Sequence, residues 1–104
     1  MVPELEQHRE AIIALCRQYQ VQRLEVFGSA ATGDFDPETS DFDFLVEFAA
    51  MAPGAQARAY LGLLAALEDL TGRRIDLVEV QARSLKNPYF AASVEESRLV
   101  LYAA

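Results

Sequence analysis

The hydrophobic residues at the start of the chain recur close to the spacing of a helix. They are Leu5, Ile12, Leu15, Cys16 and Tyr19. This pattern predicts an amphipathic helix over residues 4–19. Residues 23–27 (RLEVF) alternate and predict a short strand, which Gly28 and Ser29 end. Residues 30–33 have the length of one helical turn, with Ser29 in a position to cap it.

The middle of the chain contains a loop, a strand and a helix. Residues 33–40 (GDFDPETS) are mostly turn formers and predict a loop. Residues 42–48 (FDFLVEF) predict a second strand. Residues 55–70 are rich in Ala and Leu, which favours a helix, and Gly72 stands just past its predicted end.

The last third of the chain completes the predicted fold. Residues 74–80 (RIDLVEV) alternate as a third strand, residues 87–97 predict a helix that begins at Asn87-Pro88, and residues 98–102 (RLVLY) predict a terminal strand. The order of elements indicates an α/β (α+β) fold, with a small mixed β-sheet and helices packed on one face. A chain of 104 residues is one domain in length, so residues 1–104 are expected to form a single domain.

The amino-acid composition and net charge limit the classes of function that this chain can have. The formal net charge is −7, and an acidic domain repels a phosphate backbone, so direct binding to nucleic acid is not expected. A basic partner protein or bound divalent cations fit this charge better. The lone Cys16 predicts a buried, inert thiol in a reducing compartment. No apolar run has the length of a membrane span, and the N-terminus is unlike a signal peptide, so we expect a cytoplasmic protein.

Asp41 and Asp43 open the second predicted strand two positions apart. Side chains at this spacing point to the same face of a strand, so the two carboxylates converge. They repel each other unless a cation lies between them, and oxygen ligands suit Mg²⁺ bound together with nucleotide phosphates. A solvated acidic strand end is the alternative. The hydrophobic reverse side of the strand favours a defined site: Phe42, Phe44, Val46 and Phe48.

Gly28 and Ser29 stand at the end of the first strand and the start of the helical turn. Glycine lets a phosphate approach the backbone, and the N–H groups at a helix N-terminus attract anions. A tight turn with an N-cap explains the same two residues equally well.

Asp76 lies inside the apolar third strand (IDLV). A carboxylate buried there without a partner would cost several kcal/mol, on the order of the usual penalty for a buried charge. An ion pair with Arg73 or Arg74 is one solution. If the third strand lies beside the second, Asp76 instead joins Asp41 and Asp43. Three carboxylates can bind two divalent ions, as in nucleotidyl transfer.

These segments together resemble the polymerase β-like nucleotidyltransferase superfamily, and most closely its minimal (MNT) domains, the antitoxins of HEPN–MNT toxin–antitoxin pairs. The similar segments are residues 27–29 (FGS), 40–48 (SDFDFLVEF), Asp76, 87–90 (NPYF) and 98–102 (RLVLY). They extend over nearly the whole chain and occur in the family's order.

The resemblance implies an enzyme. Asp41, Asp43 and Asp76 would be catalytic and would bind Mg²⁺, two ions in all, while Gly28 and Ser29 would hold the β- and γ-phosphates of ATP. Asp76 would also help to deprotonate the attacking hydroxyl. The implied reaction is transfer of AMP to a tyrosine of a HEPN ribonuclease toxin, which silences the toxin. The acidic composition fits such a basic, RNA-cleaving partner.

The chain departs from the family at two positions. Relatives commonly carry arginines directly after the glycine-serine and two positions further on, where this chain has Ala30 and Thr32. The loss of charge leaves a second hypothesis open, a binding antitoxin that neutralises its partner by occlusion. A third is nucleotidylation of a small molecule.

The helix predicted at 55–70 carries more apolar residues than one buried face requires. We therefore expect some of four side chains to contact a partner or a second copy: Tyr60, Leu63, Leu64 and Leu67. A well-covered core helix is the alternative interpretation.

Overall fold

A computed structural model describes residues 2–32, 41–80 and 99–104. Its elements, in chain order, are the helices and strands α1 (Pro3–Glu6), α2 (Arg9–Gln18), β1 (Val21–Phe27), α3 (Ser29–Thr32), β2 (Phe42–Phe48), α4 (Pro53–Thr71), β3 (Ile75–Glu79) and β4 (Leu99–Ala103). The predicted loop at 33–40 and the predicted helix at 87–97 lie outside the described residues.

The described strands form one mixed sheet in the order β3-β2-β1-β4. β1 runs antiparallel to both of its neighbours, and β2 and β3 are parallel. A parallel pair needs a crossover connection, and α4 supplies it. The predicted mixed sheet is confirmed.

The core lies between one face of the sheet and the helices. Alternation along β2 buries its even-numbered side chains on this face, as the pattern predicts. Leu5 of α1, Ile12 of α2 and Leu63 of α4 pack against them, and each is fully buried. The opposite face carries a second, smaller group of apolar side chains: Leu45, Val80, Phe27 and Val78.

The single helix predicted over 4–19 is wrong, because the chain forms two helices here. Pro3 occupies the first turn of α1, a position that suits proline. The helical path is interrupted at His8 (φ −97°, ψ 3°), and α2 begins at Arg9. The physical reason is tertiary: Val2 donates its N–H to the Ala30 carbonyl (3.0 Å), and this contact with α3 directs the short first helix separately from α2.

The other boundaries agree with the sequence to within two residues. β2 has the predicted bounds, and β1 begins two residues earlier than expected. α4 begins at Pro53 and ends at Thr71, and the left-handed backbone of Gly72 (φ 67°) closes the helix as predicted.

The four apolar side chains of α4 that were predicted to include partner contacts fall into a buried pair and a half-buried pair. Leu63 and Leu67 are fully buried, so neither can contact a partner, and for these two the core alternative is right. Tyr60 and Leu64 are half-buried against the core, and the Tyr60 hydroxyl donates to the Leu77 carbonyl (2.6 Å). The exposed apolar side chain of this helix is Leu61, at 63%.

Two further predictions concern the lone cysteine and membrane-spanning segments. Cys16 is fully buried, which confirms the predicted burial, and burial raises the pKa of its thiol to about 12. Within residues 2–32, 41–80 and 99–104, no helix is long and apolar enough to cross a membrane.

Candidate functional site

The carboxylates of β2 and β3 meet because the two strands are parallel neighbours. Asp43 and Asp76 are direct partners in the strand register. They lie on the face of the sheet opposite the main core, because Phe42 and Phe44 point into that core. Asp41 stands just before β2 on the same side, two positions from Asp43. The structure therefore places the predicted carboxylates at one end of adjacent strands.

Burial and the neighbouring carboxylates raise the pKa of Asp43. Its pKa is raised from the usual 3.8 to about 6. Burial is the largest cause, and the charges of Asp76 and Asp41 and a side-chain hydrogen bond with Asp76 act in the same direction. Asp43 is therefore close enough to Asp41 and Asp76 for their charges to raise its pKa.

Gly28 lies directly against the Asp43 carboxylate. In the antiparallel register Phe27 pairs with Asp43, so the chain leaves β1 beside this side chain. A Cβ atom added to Gly28 would lie 2.7 Å from Oδ2 of Asp43, and the residue has a left-handed backbone (φ 69°). Both observations require glycine at this position. They also bring the predicted phosphate-binding turn and the predicted metal ligands together.

The turn after Gly28 is helical from Ser29, one residue earlier than predicted. The Ala31 N–H donates to the Gly28 carbonyl (3.1 Å), which closes the first turn of α3. Ala30, where the resemblance implies an arginine, is fully buried in the core. The Cβ of position 30 therefore lies in the core, and alanine supplies no charge there.

Asp76 is exposed, so the expected cost of burying it does not arise. β3 is an edge strand of the described sheet, and its side chains on the open face reach solvent. The ion pair expected with Arg73 as one alternative is also wrong. Arg73 instead pairs with Glu4 of α1, which lies on the helix-covered side.

The donor set fits a divalent cation that is bound together with a nucleotide. Among the residues that the structure describes, no group of three or more Asp, Glu, His or Cys side chains could hold a metal ion by itself. Asp43 and Asp76 form a closer pair, and Mg²⁺ is often bound by one or two carboxylates with phosphate oxygens and water completing its shell. Such an ion would relieve the repulsion that raises the pKa of Asp43.

Two features of this region were missed in the sequence. Glu25 is only 2% exposed on the open face of the sheet, where it pairs in register with Leu45 and accepts a hydrogen bond from Nε of Arg23 (2.7 Å). Arg73 stacks over the ring of Phe42, 5.7 Å from its centroid. An Arg two positions from a Glu on a strand was a signal for the first. The second depends on tertiary structure.

Comparison with known proteins identifies the family. The family model described as nucleotidyltransferase domain matches residues 8–101, which is most of the chain. The chain belongs to the nucleotidyltransferase domain family. No curated protein sequence matches it.

Solved structures agree with this assignment. One that is provisionally assigned as a minimal nucleotidyltransferase is 36% identical to this nucleotidyltransferase domain, with a TM-score of 0.69, and the match covers 91% of this chain and 90% of that one. A toxin–antitoxin structure with AMP-PNP is 23% identical (TM-score 0.66; 92% and 73% covered). A mutant of the toxin–antitoxin pair MntA–HpeT is 21% identical (TM-score 0.68; 92% and 73% covered). These last two show similarity of fold.

Proposed function

We propose that this nucleotidyltransferase domain transfers AMP from ATP to a hydroxyl group in the presence of Mg²⁺, and that the acceptor is a tyrosine of a HEPN-type toxin. The observation that carries the proposal is the register of Asp43 with Asp76 directly beside Gly28. Metal-binding carboxylates and a turn that phosphates can approach are the two parts that nucleotidyl transfer requires.

Asp43 and Asp76 are the residues that would hold the metal, with Asp41 joining them when a second ion is bound. The metal would neutralise charge on the triphosphate and so favour attack at the α-phosphorus. Gly28 has no Cβ, which lets the Asp43 carboxylate lie directly against the turn where the β- and γ-phosphates would bind. Ser29 would add its N–H and hydroxyl to the phosphates.

The residues of the chain account for the rest of the reaction. The acceptor oxygen forms a bond to the α-phosphorus, and the bond from the α-phosphorus to the bridging oxygen of the β-phosphate breaks, which releases pyrophosphate. The proton of the hydroxyl passes to a carboxylate. Asp76 is the candidate because it is exposed on an edge strand, where an acceptor can reach it.

Charge and fold support a toxin as the acceptor. The net charge of −7 favours a basic partner such as a ribonuclease. Two structures of similar fold are toxin–antitoxin complexes, and one of them contains AMP-PNP. ATP as the donor and a cytoplasmic location are parts of the same proposal.

A binding antitoxin is the second candidate. The observation that favours it is Ala30, because the resemblance implies an arginine at this position and alanine supplies no positive charge to a triphosphate. This candidate predicts a tight complex with the toxin and no need for Asp43.

The experiment that separates the two is a transfer assay with a candidate HEPN-type toxin. The domain is incubated with the toxin, Mg²⁺ and labelled ATP, and the intact mass of the toxin is measured. Asp43→Asn is the inactive variant. Glu10→Gln is the matched control, because Glu10 is an exposed carboxylate on α2, on the helix-covered side of the sheet.

The enzyme proposal predicts that the toxin gains about 329 Da per AMP, the mass of one transferred nucleotidyl group. Wild type and Glu10→Gln should both produce this product, and Asp43→Asn should not. Equal neutralisation of the toxin by Asp43→Asn, without any gain in mass, would establish the binding antitoxin. Label transferred to small hydroxyl compounds but not to the toxin would identify a different acceptor.

A further inference from the structure

Arg73 connects the first helix to the strand that carries the carboxylates. It lies between α4 and β3, and its guanidinium donates two hydrogen bonds to Glu4, with Nη2 at 2.8 Å from Oε1 and Nε bonded to Oε2. The same guanidinium stacks over Phe42, 5.7 Å from the ring centroid. One side chain therefore contacts both α1 and the first residue of β2.

Phe42 links Arg73 to the strand that carries Asp43. It is fully buried and stands between Asp41 and Asp43 in the sequence. Its N–H donates to the Arg74 carbonyl (3.4 Å), next to Arg73. A displacement of the Phe42 ring would therefore move the backbone on which both aspartates are mounted.

The segment that contains Glu4 also reaches the other half of the site. Val2 donates its N–H to the Ala30 carbonyl in α3, one turn from Gly28. Val2 and Leu5 are buried in the core on either side of Glu4. Residues 2–6 therefore contact α3 through the backbone of Val2, and Glu4 reaches β2 indirectly, through Arg73 and Phe42.

We infer that the Glu4–Arg73 ion pair is a positioning device that holds Phe42, and with it Asp41 and Asp43, in the arrangement that binds the metal–nucleotide complex. The inference rests on the proposed function and adds two residues to it. Neither residue touches the substrate in this scheme. They act on the carboxylates from the helix-covered side of the sheet.

The geometry requires arginine. The two-pronged contact with Glu4 uses two nitrogen atoms of a planar group, and Cζ of the same group lies over the Phe42 ring, 5.7 Å from its centroid. Lysine keeps the charge but cannot make both contacts at once. Arg73→Lys is therefore a conservative change in charge and size that removes the positioning geometry.

The same helical region provides a matched control. Glu6 and Arg9 form an ion pair three residues apart, with a distance of 2.7 Å, and both side chains are substantially exposed. This pair contacts neither Phe42 nor α3 in the described structure. Glu6→Gln and Glu4→Gln are the same chemical change two positions apart, and only the second acts on the site.

The test measures affinity for α,β-methylene-ATP, which cannot transfer its nucleotide, by calorimetry with and without Mg²⁺. Partners that orient metal ligands typically contribute about 10- to 100-fold to affinity. Glu4→Gln and Arg73→Lys should each weaken Mg²⁺-dependent binding about tenfold, and Glu6→Gln should not. Binding without Mg²⁺ should be the same in all four proteins. Thermal unfolding identifies the temperature range in which each variant is folded.

The outcomes separate this inference from the proposed function. Unchanged Mg²⁺-dependent affinity in both variants, with normal transfer by the wild type, would overturn the positioning role alone. If the wild type binds the analogue with Mg²⁺ but transfers no AMP from ATP, the proposed reaction is wrong. The affinities of the variants for the analogue then still decide whether the ion pair positions the carboxylates. If the wild type does not bind the analogue with Mg²⁺, both are overturned. A purely structural ion pair would lower the melting temperature without changing affinity.

Discussion

Asp43→Asn is expected to make the metal-free domain more stable, although it removes a residue central to the proposed site. The folded state raises the pKa of Asp43 to about 6 because burial and two neighbouring carboxylates disfavour its charge. A pKa that is higher in the folded than in the unfolded state means that the folded protein binds the extra proton. Stability is therefore full below pH 4 and falls as the pH rises towards 6.

The size of the effect follows from this pKa. A rise from 3.8 to about 6 corresponds to about 3 kcal/mol at most. Asp43 is partly exposed, so solvent and salt reduce this to about 1–2 kcal/mol. Asparagine has nearly the same shape and no charge. At pH 7.5 without divalent cations, the variant should therefore unfold about 5–10 °C above the wild type, from the usual scaling for a domain of this size.

Thermal unfolding at pH 4 and pH 7.5, with and without Mg²⁺, tests this prediction. The difference should largely vanish at pH 4, where the wild-type carboxyl is protonated. Mg²⁺ at ten times its dissociation constant should stabilise the wild type by about 1.4 kcal/mol and leave Asp43→Asn unchanged. Glu10→Gln should follow the wild type throughout. A variant that is less stable than the wild type at pH 7.5 would refute the idea that burial and repulsion together disfavour the charged form of Asp43.

Three further predictions concern single positions. Gly28→Ala should lower the free energy of unfolding by about 1–2 kcal/mol, because alanine is strained in the left-handed backbone of this residue. It should also abolish stabilisation by Mg²⁺, because the new Cβ displaces the Asp43 carboxylate. Urea unfolding with and without Mg²⁺ tests both effects. Leu63→Ala should lower the free energy of unfolding by about 2–5 kcal/mol, and Leu61→Ala should lower it by less than about 0.5 kcal/mol, because Leu63 is buried and Leu61 is exposed. Equal effects of the two substitutions in chemical denaturation would contradict this assignment. Cys16 should react with a thiol reagent at pH 8 only after unfolding, since burial raises its pKa to about 12; rapid labelling of the native protein would show that the site opens.

The sequence predicted best those features that depend on local pattern. β2 was found at its predicted bounds because alternation of Phe and Val with polar residues is specific for a strand with one buried face. The end of α4 at Gly72 was predictable from the glycine itself. The proximity of Asp43 and Asp76 could be predicted once their two strands were assumed to be neighbours in the sheet.

Features that depend on tertiary contacts were missed or predicted wrongly. The first helix was expected to be continuous, since the contact of Val2 with Ala30 that redirects it has no counterpart in periodicity. The pairing of Arg73 with Glu4 joins residues far apart in the chain, and the sequence offered Asp76 as a nearer partner. The steric contact between Gly28 and Asp43 depends on the antiparallel register of their strands.

The order of strands in the sheet also bears on the order in which the chain folds. All proposed site residues lie between Gly28 and Asp76, a part of the chain that contains α3, β2 and the crossover helix α4. β4 pairs with β1 from the other end of the chain, with Glu25 opposite Val100, and closing so long a loop is slow. The three strands around the carboxylates can therefore assemble before the fourth is added. A folding intermediate that lacks β4 would already contain the proposed ligands side by side.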